Sequence, residues 1–411
     1  MPEEIRWVKT HCARMDHGGC SLLVGVKGNE IVQVKGDPEG YLNKGYTCFK
    51  GRVSADRLRH PLKRAGQRGE GKWQRISWDQ ALDETAQNLL RIREKYGTRA
   101  VGFGVGMPKG LEHFVLIHLA NIFGSPNVIA IQDVCHAGRE ITGFHTCGFY
   151  PVADFHHPTK LMFFWGSNLA STSEEGQIFS QVTAKLKAGA RLIVVDPRRT
   201  ELARRADLWL QLRPGTTQAL ALGIIQVICE EGLYDKAFVE KYTHGFNELS
   251  QHIKQYAPEK VAEITWVPAE AIRKAARMYA EAKPAALQWG NAIEHDVNVF
   301  DATRALACLM GISGNLDVPG GNVNARDPKI MGLAQFVRAD LIPDKRTEMI
   351  GAHHGVIPRL MTVPSAFFRK AVLEGKPYPM HGCYGMCTNP MFAWADSWVN
   401  LHLQEQRHSL L

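Results

Sequence analysis

Four positions near the amino terminus offer the first chemistry. Cys12, Asp16, Cys20 and Cys48 form the pattern C-x3-D-x3-C-x27-C inside a glycine-rich region. Three soft thiolates so spaced suit an iron–sulfur cluster, and the glycines free backbone N–H groups to hydrogen-bond its sulfides. The alternative, on spacing alone, is a set of buried, unpaired cysteines. No fourth cysteine completes the set. Asp16 is a hard oxygen donor, possible on iron but poorer than thiolate, and Met15 would ligate only weakly. Lys50, two residues beyond Cys48, is either a solvated charge or, beside a cluster, a cation bridging to an anionic cofactor.

A second group of residues punctuates apolar runs. Gly166, Ser167 and Asn168 follow KLMFFW, and Asp196, Pro197 and Arg198 follow RLIVV. Each set falls where a strand ends before a helix, the place at which doubly wound folds bind nucleotides. The glycine lets backbone approach a ligand, and the serine and asparagine supply hydrogen bonds. Asp196 suits a guanine or ribose edge. Arg213, Pro214, Gly215 and Thr216 precede a helix whose amino terminus can take phosphate. Arg198 and Arg199 read equally well as solvated charges beside a turn. Cys383 and Cys387 form C-x3-C, half a metal site in isolation; without matching cysteines nearby they read as buried or reactive thiols.

The elements that must position these residues alternate. Residues 20–35 read as a hairpin turning at KGNE, and Ser77 caps a helix over 78–97. AVGFGVG is a strand, GLEHFVLIHLANIFG a helix ending at Gly124, and residues 160–168 a strand. A helix closed by Gly189 follows, then RLIVVDPRR as a strand and TTQALALGIIQVICEEG as a helix. Strand and helix alternating at this spacing imply βαβ units and a parallel sheet.

The chain has 411 residues, 45% apolar and 22% charged, which excludes disorder, collagen and coiled coil. That length suits two or three domains. The net charge of +8 fits a basic soluble protein or an anionic ligand such as a phosphate-bearing cofactor. Nucleic acid is disfavoured, since no basic run with interleaved aromatics occurs. No stretch of about 18 apolar residues exists, so no membrane span is expected. The first residues show no signal-peptide core and no twin-arginine pair, making the cytoplasm the default compartment. Nine cysteines in so long a chain are not a disulfide scaffold and are better read as metal ligands or catalytic groups.

The run from Cys12 to Gly51 resembles the opening of the dimethyl-sulfoxide-reductase superfamily of molybdopterin oxidoreductases. Cys12 and Cys20 match the outer members of its first cluster motif, and Cys48, Lys50 and Gly51 match its C-x-K-G element. Asp16 stands where the middle cysteine belongs. The resemblance thus implies a 4Fe–4S cluster, Asp-ligated or reduced to 3Fe–4S. In hydratase-like relatives an aspartate beside the second cluster cysteine faces the substrate; Asp16 is a candidate for that role, with Met15 in the cysteine's place.

The resemblance runs almost to the chain's end. IQDVCHAGREITGF sits where the family carries its protein ligand to molybdenum or tungsten, which implies Cys135; a lone cysteine is otherwise a small buried hydrophobe. His136 matches the proton-handling histidine of formate-dehydrogenase-like members. Arg139 would hold a small anion or form a surface salt bridge. The block 192–223 resembles the guanosine-binding segment of the pterin guanine dinucleotide, and Gly290 and Asn291 would bring backbone close to a pterin.

These features imply a mixed α/β fold. It would comprise a small iron–sulfur domain of short strands (1–53), a discontinuous α/β domain (54–135 with 330–411) and a doubly wound pterin-dinucleotide domain (136–329). Family members are longer, and the C-terminal barrel domain is expected to be missing here. The implied function is that of a molybdenum or tungsten bis-pterin catalytic subunit. It would act on a small substrate, formate foremost, and pass electrons through the pterin, Lys50 and the cluster to an iron–sulfur partner subunit. Two alternatives stand beside it: a redox-neutral hydratase on the same scaffold, and a non-catalytic subunit resembling the large subunit of respiratory complex I.

Overall fold

A computed structural model describes residues 4–12, 20–40, 43–47, 49–52, 59–67, 69–106, 111–130, 135–172, 176–325, 332–355 and 362–390. Asp16 and Cys48 lie outside the described residues, as does the side chain of Lys50. The chain divides into two compact units, Met1–Asp133 with Lys329–Leu411, and Val134–Pro328.

The second unit is built on a four-stranded parallel sheet in the order Leu208–Leu210, Arg191–Val195, Leu161–Trp165, Ala285–Trp289. The Leu161–Trp165 strand is apolar throughout and buried throughout, as a strand covered on both faces must be. Alternation then divides its side chains. Leu161, Phe163 and Trp165 enter one core with the helices Thr217–Glu230, Ala269–Glu281 and Val299–Ile312. Met162 and Phe164 enter another with Leu192, Val194 and Val182 of the helix Gly176–Lys187. The last two strands in sequence were not foreseen. Leu208–Leu210 is only three residues long, and Ala285–Trp289 is introduced by a proline at 284.

The sheet has a switch point. After Leu161–Trp165 the chain moves outward to Arg191–Val195 and Leu208–Leu210, then returns to place Ala285–Trp289 on the opposite side of the first strand. Ligands of open parallel sheets bind where the connections diverge, at the carboxyl ends of the strands. Trp165 pairs with both Val195 and Trp289, and Val195 with Leu210, so the four strands end at one level.

The first unit holds an antiparallel sheet of Arg6–His11, Ser21–Lys27 and Glu30–Gly36. The last two strands form the expected hairpin. Arg6–His11 was not expected; it is exposed along its whole length and therefore lacks an apolar stripe. The unit also contains a parallel sheet ordered Gly382–Met386, Val101–Val105, Val128–Ile129. Cys383 thus lies in a strand and is partly buried, and Cys387 follows it with φ of 50°. The helix Trp78–Tyr96 begins at Ser77, whose hydroxyl accepts from the Gln80 N–H at 3.1 Å. Only part of its apolar stripe is a core face: Leu89 and Ile92 pack against the core around Phe103, whereas Trp78, Leu82 and Leu90 are exposed. Among the described residues no helix is long and apolar enough to cross a membrane.

Candidate metal and cofactor sites

Cys12 and Cys20 are set opposite each other by strand register. His11 pairs with Ser21, and one step further the Cys12 N–H donates to the Cys20 carbonyl at 2.9 Å. Both thiols are partly exposed. The segment that leads towards Cys48 is tied to the same place. Asn43 accepts from the Ser21 N–H at 3.0 Å and donates to the Ser21 carbonyl at 2.9 Å and the Tyr46 carbonyl at 2.6 Å. Asp37 accepts from the Ser21 hydroxyl at 2.8 Å and pairs with Lys9 at 2.8 Å. The hydrogen bonds from Lys9 and then Ser21 hold the Asp37 carboxyl below its ordinary range. Gly36 is required here, because a Cβ would sit 2.2 Å from the Gly45 carbonyl oxygen. Two of the four expected cluster positions are therefore brought together by the pairing of Arg6–His11 with Ser21–Lys27.

Cys135 stands in a turn at the start of the helix Ala137–Cys147. The Asn291 amide donates to its sulfur at 3.2 Å. Asn291 follows the strand Ala285–Trp289 by two residues, so the thiol is bound to the carboxyl end of the sheet beside its switch point. His136 caps the helix with φ 76° and ψ −36°, close to the rare γ-turn of positive φ, a costly conformation for a residue with a side chain. Its ring meets the Tyr150 ring edge-on at 4.8 Å, and Tyr150 stacks on Trp289 at 5.9 Å. Glu140 lies 3.9 Å from His136 Nε2.

Beneath this turn is a carboxylate that sequence reading missed. Glu294 is buried and accepts from the His136 N–H at 2.6 Å and the Arg139 N–H at 3.0 Å, so it caps the helix from a separate segment. It also pairs with the Arg139 guanidinium at 3.1 Å. Arg139 in turn donates to the Trp289 carbonyl at 2.8 Å and to Asn291 Oδ1 at 2.5 Å. Burial works against its charge, but Tyr150 and Glu294 outweigh burial and raise its pKa. The surface alternative for Arg139 is therefore corrected. Its guanidinium is buried and its charge is matched by a carboxylate of the fold. Glu294 carried no local signal, since a buried acid is indistinguishable from a surface one until its partner is known.

The remaining positions gather along the sheet's carboxyl edge. Gly166 has φ of 58°, and a Cβ on Gly290 would fall 2.1 Å from its carbonyl oxygen; the two strand ends touch through backbone. Ser167 is buried, and Asn168 Oδ1 is buried without a hydrogen-bond partner. Asp196 is buried and accepts from the Arg198 N–H at 2.8 Å across Pro197, while its own carbonyl accepts from the Trp209 indole at 2.9 Å. The Arg198 side chain is exposed, its Nε 3.5 Å from Asp196. Gly215 has φ of 84°, Thr216 donates to the Arg213 carbonyl at 2.7 Å, and Arg213 lies 5.2 Å over the exposed Trp266 ring. No side chain caps the helix Thr217–Glu230. An unpartnered buried acceptor, a close glycine pair and an uncapped helix amino terminus fit a large polar, phosphate-bearing cofactor.

Comparison with known proteins agrees with this arrangement. The molybdopterin oxidoreductase Fe4S4 domain matches residues 5–60 and the molybdopterin oxidoreductase domain residues 57–407. These matches support a 4Fe–4S cluster and a molybdenum or tungsten molybdopterin as cofactors. Acetylene hydratase of Syntrophotalea acetylenica is 34% identical over 92% of this chain and 56% of its own length. Formate dehydrogenase H of Escherichia coli is 35% identical over 74% of this chain and 44% of its own. The solved acetylene hydratase from Pelobacter acetylenicus superposes with a TM-score of 0.83 at 32% identity, over 96% of this chain and 59% of that one. The chain thus spans about half the length of the curated relatives it matches. With the Fe4S4 profile followed by one covering nearly everything downstream, the chain belongs to the molybdopterin oxidoreductase family.

Proposed function

We propose that this chain is the catalytic portion of a molybdenum or tungsten bis-pterin enzyme acting on a small molecule, with Cys135 as the protein ligand of the metal. The observation that carries this reading is the Asn291 amide directed at the Cys135 sulfur at the carboxyl end of the sheet. A competing thiol is poorly suited: burial pushes Cys147 up to about 12, so it stays protonated. When bound, the cofactor supplies two-electron or oxo-transfer chemistry.

The rest falls to this chain's residues. Gly166, Ser167, Asn168, Gly290 and Asn291 admit the pterin dinucleotide along the sheet edge. Asp196, Pro197 and Arg198 take its guanosine end, and Arg213, Gly215 and Thr216 a phosphate. Cys12, Cys20, Cys48 and Asp16 hold the cluster, with Lys50 as the cation between the two cofactors. When bound, the cluster would supply one-electron transfer towards an iron–sulfur partner subunit. His136, about two-fifths exposed and edge-on to Tyr150, accepts the proton released as substrate is oxidised. Formate is the substrate this pairing of Cys135 and His136 favours.

A second reading, redox-neutral hydration, draws on the similarity to acetylene hydratase over nearly the whole chain. The holoenzyme in its full-length form is assayed with formate and an artificial electron acceptor, and with acetylene and no acceptor. Formate oxidation that stops without acceptor supports the first reading; acetylene consumption without acceptor supports the second. Cys135→Ala abolishes turnover and keeps the cluster's paramagnetic signal, whereas Cys147→Ala is mild. The reverse outcome would put the metal on the wrong thiol.

A further inference from the structure

We infer that Glu294 is the positioning residue of the metal ligand: its buried carboxylate clamps the strained turn after Cys135 and, through Arg139 and Asn291, sets where the sulfur points. The inference rests on the reading of Cys135 as the protein ligand and adds what holds that ligand in place.

The argument is a chain of contacts. A turn at φ 76° does not hold itself. Glu294 fixes it from both ends, with one oxygen on the His136 N–H and the other on the Arg139 N–H. A carboxylate accepts through both oxygens, so it can serve two converging N–H donors and a guanidinium together. Arg139 carries the constraint onward, because the guanidinium that pairs with Glu294 also grips Asn291 Oδ1. Grasping the oxygen turns the Asn291 amide nitrogen towards Cys135. The carboxylate thus acts at two points on one thiol: on the backbone that bears it and on the donor that meets it. Glu294 itself does not touch the sulfur.

Such outer partners cost about 10- to 100-fold in metal affinity or activity when removed. Glutamine in place of Glu294 keeps the shape but offers one acceptor oxygen and turns an N–H against a donor. Asn291→Ala leaves the Glu294 clamp on the backbone and removes the contact to Cys135 with its link to Arg139, at an exposed side chain, and keeps the test decisive if the clamp variant does not fold.

The experiment uses the full-length holoenzyme with wild type, Glu294→Gln, Asn291→Ala and Cys135→Ala. Molybdenum or tungsten and iron per chain are measured together with the metal's X-ray absorption and electron paramagnetic resonance. Glu294→Gln is expected to weaken retention of the metal about tenfold or more at unchanged iron content, with loss of sulfur from the coordination shell. Asn291→Ala is expected to retain the metal and shift its paramagnetic signal. Wild-type retention, sulfur count and spectrum in both variants, with one sulfur lost in Cys135→Ala, overturn the positioning role alone. A full sulfur count in Cys135→Ala overturns the ligand assignment itself.

Discussion

In the amino-terminal antiparallel sheet, Cys12 and Cys20 are held by backbone pairing, beside a first strand that is exposed throughout. In the second unit, Cys135 is held by side chains: an amide on its sulfur, a buried arginine behind the amide and a buried glutamate behind both. The hairpin contributes little apolar burial, chiefly Leu22 and Val34. The Cys135 turn stands on a parallel sheet packed on both faces. The difference bears on what each site needs in order to exist. A ligand set on a thin sheet gains its order from the metal, because binding free energy becomes folding free energy. A ligand braced by a buried network is preformed before its metal arrives.

The sharpest break of this comparison is removal of the proposed iron ligands. Cys12→Ser with Cys20→Ser is expected to leave no iron, and limited proteolysis should then cut first within residues 1–60 while the fragment beginning near residue 134 survives. Equal resistance of the hairpin with and without iron would show that it, too, is preformed.

Next in size is the brace itself. Arg139→Leu leaves Glu294 buried and unpaired, which costs about 3–5 kcal/mol. A lowered melting transition with little change in substrate KM fits a structural arginine. A raised KM at unchanged stability would return it to the role of anion holder.

A smaller effect is expected at the switch point. Gly290→Ala places a methyl group 2.1 Å from the Gly166 carbonyl, so the strand ends must part. Overpacking of this kind costs about 1–3 kcal/mol, and the cofactor content of the purified enzyme should fall with it. Normal stability and normal content would mean that the sheet edge is more yielding than it looks.

The smallest effect is a pH dependence confined to the hairpin. Asp37 titrates below its ordinary value of 3.8, chiefly through its hydrogen bonds from Lys9 and Ser21. Its contribution is present above the ordinary value and is lost as pH falls through the lowered one. Amide protection around Ser21 and Asn43, taken relative to the intrinsic exchange rate, should therefore fall below about pH 4 and level off above it. Asp37→Asn should flatten that dependence.

Much of this was legible in order along the chain. Continuous apolar runs such as LMFFW and LIVV can only be strands covered on both faces, and the turn residues after them mark the sheet's carboxyl edge. Cys12 and Cys20 among glycines, followed by Cys48 in C-x-K-G, carry the resemblance to an iron–sulfur family without reference to any contact. The exposed strand Arg6–His11 and the three-residue strand Leu208–Leu210 lacked the periodicity that would have revealed them. Residue type and spacing, then, determined the chemistry and the family. The tertiary structure alone decided what holds the chemistry in place: that Arg139 pairs with Glu294, and that Asn291 meets Cys135. Those partners are 155 and 156 residues apart in sequence. No local pattern records such a pairing, because the desolvation that makes a buried charge need its partner arises only once the chain has closed around it.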